Sequence, residues 1–354
     1  MSVFNGDNLK IELIGQSHGE VMSVKVFGLP KFSVDKALLA SFMRRRKGGT
    51  AAYSTTRVEP DELIFEELSG GIEIKIANVN VRKTDYANLY GKPRPSHADY
   101  CSYLKDGTLD FCGGGRFSGR LTALLCAVGG IAIQYLSSLG VQIAAYVSQV
   151  GNIKALSYRD RKLTCSEIEA LRQGDFPSLD RKAEILDYIK NVRQAGDSVG
   201  ARVDLVVDGM IKALGDSYFE GLEGKISSLV YAIPAVKGVE FGLGFGFAES
   251  FASKVNDELT YNKSGAISQL SNNCGGIYGG ISSGEQVTMS VAFKPTPSIS
   301  KEQNTVDLVS GKPCTIQVLG RHDACIAPRA LPCVEAAVAI AILDELLQSN
   351  DFAN

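Results

Sequence analysis

The sequence of 354 residues contains three histidines, and each lies among polar or glycine residues rather than in an apolar run. His18 lies in "GQSHGE", His97 in "PRPSHADY" and His322 in "GRHDAC". Histidine is the usual general acid or base, because its unperturbed pKa of about 6.5 lies near neutral pH. For any one histidine alone, a hydrogen-bonded loop residue without chemistry is the simpler interpretation. Three histidines in such surroundings favour a role in proton transfer.

A carboxylate and a hydroxyl lie next to two of these histidines. Asp323 follows His322 directly, and Arg321 precedes that histidine. A carboxylate close to both an arginine and a histidine stays ionised and can accept a proton. Ser17 directly precedes His18 and lies in a loop between two predicted strands, not in the strand-to-helix elbow that marks a hydrolase nucleophile. We therefore predict that Ser17 donates a hydrogen bond.

Four cationic residues in succession, "RRRK" at 44–47, follow a helical pattern whose apolar face contains Leu38, Leu39 and Phe42. The planar guanidinium group of arginine binds phosphate or carboxylate through two parallel hydrogen bonds, so the run indicates anion binding. A favourable interaction with the negative end of the helix and with solvent explains the run equally well.

The segment "FCGGGRFSGRLTALL" at 111–125 places glycines, two arginines and a serine where a helix begins. Exposed N–H groups at the positive end of a helix form an anion site. The spacing matches neither a P-loop nor the GxGxxG dinucleotide motif, and "GLGFG" at 242–246 does not match them either. A tight turn with close helix packing is the alternative interpretation of the 111–125 segment.

Composition and charge limit the class of protein. A formal net charge of −2 argues against a nucleic-acid binder, which needs a basic excess. The eight cysteines include no CxxC pair and no zinc spacing, and "MSVFNGDNLKIEL" lacks the pattern of a signal peptide. We therefore expect reduced thiols, no metal and a cytoplasmic protein. The apolar stretch 121–140 is predicted to be a buried core helix rather than a membrane span.

The elements alternate between strands and helices along the chain, which predicts a mixed α and β class. No low-complexity linker interrupts the sequence, so we expect one domain over residues 1–354. The predicted strands lie in 9–27 on both sides of "GQSHGE", in 72–81, in 201–210, in the alternating segment 239–250 and in 287–295. The predicted helices run from an N-cap at Ser33 to Gly48 or Gly49, from near Ser118, over 181–196, over 216–232, and from Pro332 to Leu347; a loop is predicted over 91–116.

These residues alone predict an enzyme that acts on a small phosphorylated and carboxylated molecule, with histidine acids in an arginine-lined pocket. Eleven segments, taken in order over nearly the whole chain, resemble the chorismate synthase family. They are "GQSHGE" at 15–20, "RRR" at 44–46, "TTRVEPDE" at 55–62, "PRPSHADY" at 93–100, "GGGRFSGRLTA" at 113–123, "GDSVGA" at 196–201, "IPAVKGVEFG" at 233–242, "NDE" at 256–258, "GGIYGGISSGEQ" at 275–286, "FKPTPSI" at 293–299 and "GRHDACIAPRALP" at 320–332.

The resemblance implies an α+β fold, a layered β-α-β sandwich with helices packed between antiparallel sheets. It implies a lyase that eliminates phosphate from 5-enolpyruvylshikimate 3-phosphate, which gives chorismate, the last step of the shikimate pathway in aromatic amino-acid biosynthesis. The family uses reduced FMN (FMNH2) although no net redox change occurs, and some members reduce their FMN with NADPH. A homotetramer without nucleic-acid or membrane partners is expected.

The resemblance also implies roles for individual residues. His18, assisted by Ser17, would protonate the departing phosphate, His97 would hold the protonation state of the flavin, and Asp323 would remove the ring proton. The residues expected to bind the anionic groups of the substrate are Arg45, Arg57, Arg94, Arg120 and Arg321. The residues expected to bind FMN are Arg116, Phe117, Ser118, Pro234, Ala235, Gly279, Lys294, Pro295, Thr296, Pro297, Ser298 and Arg321.

The chain departs from the family pattern at a few positions. Phe117 stands where the family has serine, Ala52 where many members carry arginine, and most of one loop near Gly70 is missing. These departures leave two alternatives open: a flavin-binding homologue without this activity, or an NAD(P)H-dependent flavin reductase. The sequence contains no dinucleotide motif for the second alternative.

Overall fold

The computed structural model describes residues 1–17, 19–47, 59–79, 88–111, 113–174, 176–318 and 322–348. Within them the strands are β1 Ser2–Asn5, β2 Lys10–Ile14, β3 Val21–Phe27, β4 Ile64–Leu68, β5 Gly71–Ala77, β6 Gln142–Val150, β7 Ile153–Lys154, β8 Ala201–Asp208, β9 Val236–Phe241, β10 Leu259–Tyr261, β11 Ile267–Gln269, β12 Ile277–Tyr278, β13 Ile281–Ser282, β14 Val287–Phe293, β15 Gln303–Asp307 and β16 Lys312–Ile316. The α-helices are α1 Lys36–Arg44, α2 Asp99–Asp106, α3 Thr122–Ser138, α4 Cys165–Gln173, α5 Lys182–Gln194, α6 Leu222–Tyr231, α7 Ala252–Val255 and α8 Ala327–Gln348.

The first sheet has the strand order β1-β2-β3-β5-β4, and all of its pairs are antiparallel. Its strands alternate, as half-buried strands do, so that Met22, Val24 and Val26 of β3 and Ile74 and Ile76 of β5 point to the same buried face. Helix α3 packs on this sheet through β3 and β5.

The second sheet has the order β7-β6-β8-β14-β9 and is also antiparallel. Both of its faces are covered. Val203 and Leu205 of β8 belong to the main core, whereas Tyr146 of β6 packs with Ile168 and Leu171 of α4 on the opposite face. Helix α8 packs on the core face of this sheet through β6 and β8.

Helices α3 and α8 lie against each other between the two sheets. Gly129 of α3 permits this close approach, because a Cβ atom there would lie 2.2 Å from the Cβ of Ala336. The resulting layers confirm the predicted α+β sandwich with helices between antiparallel sheets. Residues 119–138 are apolar enough to cross a membrane, but most of this segment is buried inside the protein, as expected of a core helix.

Most predicted elements are present, namely the strands on both sides of "GQSHGE", β5, β8, β14, α3 and α5. Helix α1 is capped differently from the prediction: Asp35, not Ser33, accepts hydrogen bonds from the backbone N–H groups of Ala37 and Leu38. The predicted end at Gly48 or Gly49 lies outside the described residues. Helix α2 lies within the segment predicted as a loop.

Three further boundaries differ from the predictions. The alternating segment after Val239 leaves the strand at Phe241, because Gly242 and Gly244 adopt φ values of +53° and begin a turn. Helix α6 begins at Leu222 rather than near 216. Helix α8 begins at Ala327, so Pro332 lies inside the helix rather than at its start. Pro328 lies in the first turn, where a missing N–H costs no helical hydrogen bond.

Candidate functional site

A cavity of about 620 Å³ lies where segments from across the chain meet. They are the loop at 94–98, the turn at 113–120, the segments 231–237 and 294–298, and the beginning of α8. This volume is within the range of small-molecule sites, roughly 300–1,000 Å³. Its described lining includes three carboxylates, of Glu59, Asp61 and Asp323, and the cationic side chains of Arg46, Lys47, Arg94, Arg116, Arg120, Lys237, Lys294 and Arg329. The cavity therefore attracts anions.

The glycine-rich turn forms one wall of this cavity. Gly113 and Gly115 have positive φ values, and a Cβ on Gly114 would lie 2.8 Å from the Cα of Ser118. The hydroxyl of Ser118 accepts a hydrogen bond from the Arg120 N–H and caps the short helix that leads into α3. The Ser17 N–H donates to the Gly115 carbonyl at 3.2 Å, so the "GQSHGE" loop is attached to this wall.

Asp61 joins two buried arginines at the base of the cavity. Its carboxylate accepts hydrogen bonds from Arg46, at 3.2 Å, and from Arg120. All three side chains are buried. Burial lowers the pKa of the Arg120 guanidinium, and the negative charge of Asp61 opposes that effect. One carboxylate thus contacts both cations, and the negative charge of the buried Glu59 also acts on Arg120.

Both arginines keep donors that no described protein group satisfies. These are Nε of Arg46 and one terminal nitrogen of Arg120, and the hydroxyl of Thr296 is a third buried polar group of this kind. Buried donors without a partner cost free energy, so such donors in a cavity indicate the position of a ligand. The ligand that suits two guanidinium groups is a phosphate or a carboxylate.

His97 is held by a carboxylate that an arginine also binds. Its Nδ1 lies 2.5 Å from Oδ1 of Asp99, and Arg94 donates to both oxygens of Asp99, at 2.7 and 2.9 Å. Arg94 also donates to the hydroxyl of Ser298 at 3.2 Å and to the carbonyl of Gly113. Arg94 therefore connects three segments around the cavity through hydrogen bonds: its own loop, the segment 294–298 and the glycine-rich turn.

The protonation state of His97 follows from these contacts. Burial by itself raises the pKa of Asp99, but hydrogen bonds from His97 and Arg94 bring it down to about 2. An ionised Asp99 can only accept, so Nδ1 of His97 carries the proton and Nε2 is the basic nitrogen. Burial lowers the pKa of His97 against the opposite effect of Asp99, which favours the neutral ring at pH 7.

Asp323 lies in the cavity wall beside Arg329, whose NH1 donates to its Oδ2 at 2.6 Å. Arg329 also donates from Nε to the Arg46 carbonyl at 3.1 Å, which connects the start of α8 to the end of α1. His322 does not line the described cavity, and its Nε2 lies 3.5 Å from the hydroxyl of Ser300. Among the described residues, the cation that pairs with Asp323 is Arg329.

Three lining residues have backbone conformations that are rare for side chains other than glycine. Asp61, Ser96 and Ala235 have φ values of 50°, 57° and 75°. Strained residues of this kind cluster at functional sites, because surrounding contacts hold them in place. The main-chain carbonyl of Ala235 accepts from the Lys294 N–H at 3.0 Å, and Nζ of Lys294 donates to the Ser96 carbonyl at 3.0 Å.

The structure brings most of the predicted site residues to this cavity. They are Arg94, His97, Arg116, Phe117, Ser118, Arg120, Pro234, Ala235, Lys294, Thr296, Pro297, Ser298 and Asp323. Ser17 lies next to the cavity wall but is not among the described lining residues. The predicted residues His18, Arg57 and Arg321 lie outside the described part of the chain.

Three predicted residues lie elsewhere in the described structure. Arg45 donates through two nitrogens to the buried carboxylate of Glu335, at 2.6 and 2.9 Å, and does not line the cavity. Gly279 lies in the β12–β13 hairpin, also away from the cavity lining. Pro295 faces Gly200 instead, where a Cβ would lie 3.2 Å from the proline ring.

The sequence-based selection of site residues missed Arg46, Arg329, Asp61 and Asp99. A signal existed for Arg46: it follows the buried Leu39 and Met43 at helical spacing, so it points to the inside of the protein. Arg329 lies in the quoted segment "GRHDACIAPRALP". Asp99 lies in the quoted segment "PRPSHADY" together with Arg94 and His97. Asp61 has no such local signal, because its partner Arg120 lies 59 residues away.

The fold and the cavity together define an enzyme of the α+β class that binds a small, multiply charged anion. Comparison with known proteins agrees with this class. The family described as chorismate synthase matches residues 9–347. A chorismate synthase of Cytophaga hutchinsonii is 37% identical over 99% of this chain and 99% of its own. One of Pyrococcus abyssi is 39% identical over 97% of both chains.

A solved structure is similar over almost the whole length as well. A crystal structure of chorismate synthase superposes with a TM-score of 0.74 at 25% identity, covering 97% of this chain and 93% of the other. The chain therefore belongs to the chorismate synthase family, and by that membership it is a carbon–oxygen lyase of aromatic amino-acid biosynthesis.

Proposed function

We propose that this protein eliminates phosphate from 5-enolpyruvylshikimate 3-phosphate in the cavity and so forms chorismate, with reduced FMN as its cofactor. The observation that carries this proposal is the buried Arg46–Asp61–Arg120 cluster, whose unsatisfied donors line a cavity of the right size. The substrate has one phosphate and two carboxylates, and FMN has a further phosphate. A cationic site with few carboxylates suits this combination of ligands.

The arginine cluster binds the charged groups of the substrate. A buried site has a lower effective dielectric constant than water, so each guanidinium attracts an anion more strongly there. Arg46 and Arg120 each have a donor ready, and the Asp61 carboxylate holds both groups in place without reorganisation. Arg57, Arg94 and Arg321 stay proposed substrate residues, of which Arg94 acts through its contacts with the loop walls. Arg45, predicted as a further one, does not line the cavity and pairs with Glu335, so its proposed role is to stabilise the fold.

Other residues of the cavity lining suit FMN. The buried hydroxyl of Thr296, the exposed cation of Arg116 and the half-exposed ring of Phe117 offer a polar group, a charge and a flat apolar surface. Reduced FMN is the electron-rich group that the elimination requires, although no net redox change occurs. The residues proposed to hold it in the cavity are Arg116, Phe117, Ser118, Pro234, Ala235, Lys294, Thr296, Pro297, Ser298 and Arg321. Gly279 and Pro295, which the resemblance also implies, lie away from the described cavity lining.

The remaining side chains move or hold protons. Asp323, which accepts a hydrogen bond from Arg329, accepts the ring proton of the substrate. His97 presents its basic Nε2, because Asp99 holds the proton on Nδ1, and so it keeps a proton of the bound flavin in place. His18, with Ser17 as a hydrogen-bond donor, protonates the phosphate as it leaves.

We also infer a homotetramer in the cytoplasm without nucleic-acid or membrane partners. Several large apolar side chains are exposed, among them Tyr218, Phe219, Phe245 and Phe251, each at least 80% exposed. Apolar surface of this kind is commonly covered by another subunit. Light scattering after size-exclusion chromatography tests this: a monomeric mass at micromolar concentration would contradict it.

One domain over residues 1–354 is likewise a prediction, and a single cooperative unfolding transition would support it.

Phosphate release under anaerobic conditions tests the proposed reaction. Purified protein, chemically reduced FMN and 5-enolpyruvylshikimate 3-phosphate should release one phosphate per substrate, and oxidised FMN should release none. Arg120→Ala should abolish most of the release, whereas Arg161→Ala, at an exposed arginine paired with Glu167, should not. A non-catalytic homologue would release no phosphate. A flavin reductase would instead oxidise NADPH with FMN and release no phosphate when substrate is added.

A further inference from the structure

Two cysteine side chains meet at the inner end of the cavity. Sγ of Cys126 in α3 lies 3.6 Å from Sγ of Cys333 in α8. Cys333 is 2% exposed and lines the cavity, whereas Cys126 is fully buried behind it. The elimination proposed above uses neither thiol.

The packing of the two helices brings these sulfur atoms together. Gly129 lies one turn after Cys126, and Ala336 lies one turn after Cys333. The backbone of α3 approaches α8 at Gly129 so closely that a Cβ there would lie 2.2 Å from the Ala336 Cβ. A disulfide has an S–S length of about 2.05 Å, so closure needs the two atoms to approach by roughly 1.5 Å.

The two thiols differ in their surroundings. A hydrogen bond from the Cys126 thiol lowers the pKa of Cys333, burial opposes this effect, and the positive charge of Arg46 lowers the pKa further. Arg329 contributes in the same direction. Burial raises the pKa of Cys126. The thiolate is the reactive form of cysteine, so Cys333, which faces the cavity, is the attacking group and Cys126 is the resolving group.

We propose that Cys333 and Cys126 form a peroxide-sensitive dithiol site at the inner end of the cavity. The Cys333 thiolate attacks hydrogen peroxide, an S–O bond forms, the O–O bond breaks and hydroxide leaves. The Cys126 sulfur then attacks the Cys333 sulfur, the S–O bond breaks, and the oxygen leaves as water with the Cys126 proton. Two thiols lose two electrons, and the peroxide is reduced.

The other cysteines of the chain supply the control for this site. Cys325 is as buried as Cys333, at 1% exposed, but it does not line the described cavity, and burial raises its pKa to about 12. Cys101 and Cys165 are exposed on the surface. If access through the cavity and the cationic surroundings determine reactivity, Cys333 should react with hydrogen peroxide at least about tenfold faster than Cys325 does.

Peptide mapping after oxidation tests the proposal. The folded wild-type protein, reduced and freed of reductant, is treated with hydrogen peroxide, alkylated and digested without reduction. We expect a cross-linked peptide pair that contains Cys126 and Cys333, which disappears when reductant is added before digestion. A Cys333 that stays free while Cys101 and Cys165 are oxidised would overturn the proposal, as would cross-links between other cysteines only.

Two variants separate the steps. Cys126→Ser keeps a hydrogen-bond donor to Cys333 but cannot form the disulfide, so it should leave Cys333 as a sulfenic acid that dimedone traps. Cys101→Ala should form the Cys126–Cys333 bond as the wild type does. Dimedone labelling of Cys126→Ser only at surface cysteines would contradict the assignment of the attacking group. If Cys126→Ser does not fold, which circular dichroism shows, the wild-type map decides. All of these measurements are made without substrate or flavin, so they do not depend on the proposed reaction.

Discussion

The carboxylate of Asp99 lies 2.5 Å from Nδ1 of His97 and fixes which nitrogen of the ring is basic. Asp99 lies at the start of α2, two residues after the histidine, and Arg94 holds its two oxygens. The ring can therefore neither flip nor exchange its tautomer without breaking a buried ionic contact. Because Nε2 remains the basic nitrogen, His97 can accept or hold a proton in the cavity at neutral pH.

Asp99→Asn should release this constraint on the tautomer. An asparagine side chain can donate as well as accept, so the ring would populate both tautomers. We expect kcat to fall at least about tenfold, since a positioned acid or base contributes roughly 10²–10⁴ to a rate. The chain has only three histidines, so nitrogen chemical shifts can resolve His97 and show its tautomer directly.

A double-variant comparison serves as the control for the tautomer. In a His97→Ala background, Asp99→Asn should change kcat much less than it does in the wild type, because the ring it positions is gone. An equal loss in both backgrounds would mean that Asp99 acts through Arg94 and the loop walls instead.

The same carboxylate makes the free energy of unfolding depend on pH. Its pKa is about 2 in the folded protein against 3.8 as the ordinary value, so the folded state binds this proton less readily. Stabilisation by Asp99 is therefore present above about pH 4 and is lost as the pH falls from about 4 to 2. The free energy of unfolding, measured with urea, should fall between pH 5 and pH 3 by about 1–2 kcal/mol more in the wild type than in Asp99→Asn. Equal losses would contradict the ionised Asp99.

Arg45 and Arg46 are adjacent in the sequence but have different partners. Arg46→Ala should raise the KM for substrate at least about tenfold, because a buried donor to an anion contributes roughly 1.5–3 kcal/mol. Arg45→Ala should instead lower the free energy of unfolding by about 3–5 kcal/mol, because it leaves the buried Glu335 without its cation.

Steady-state kinetics and urea unfolding of both variants separate the two roles. Arg45→Ala combined with Glu335→Gln should recover part of the lost stability, since the uncompensated charge is removed. A raised KM for Arg45→Ala at unchanged stability would instead support Arg45 as the substrate residue.

The sequence predicted which segments form the site better than it predicted the contacts between residues of the site. The glycine turn at 113–120, the loop around His97 and the segment 294–298 were each predicted, and all three line the cavity. Their glycines, prolines and charges act locally, so a short stretch of sequence reveals them. Helical spacing from Leu39 and Met43 also favours Arg46 over Arg45 as the inward-facing residue.

The pairs that organise the cavity could not be predicted in this way. Asp61 binds Arg120 across 59 positions of sequence, and Arg45 reaches Glu335 across 290. Which carboxylate meets which cation depends on how the sheets and α3 and α8 pack. The error at β9 has a local cause: the alternation of "VEFGLGFGFAES" continues past Phe241 only because glycines that turn the chain happen to fall on alternate positions.

The contact between α3 and α8 gives a prediction for stability. Gly129→Ala should lower the free energy of unfolding by about 1–3 kcal/mol, because the new methyl group would lie 2.2 Å from the Ala336 Cβ and force the helices apart. Gly224 in α6 is the matched control, since a Cβ there would meet nothing within 4 Å. Gly224→Ala should be neutral or stabilise the protein by up to about 1 kcal/mol, because alanine favours helix over glycine.

Removing the opposing methyl group completes this test. Ala336→Gly should be destabilising alone, by about 1 kcal/mol, because glycine disfavours the interior of α8. Combined with Gly129→Ala, it should recover little of the loss, because the new Cβ would still lie 2.3 Å from the Ala336 Cα and 2.8 Å from its carbonyl carbon. A double variant that is as stable in urea unfolding as Ala336→Gly alone would contradict this backbone contact. The cavity depends on the same contact, since Cys333 and Ala330, one and two turns before Ala336 on α8, both line it.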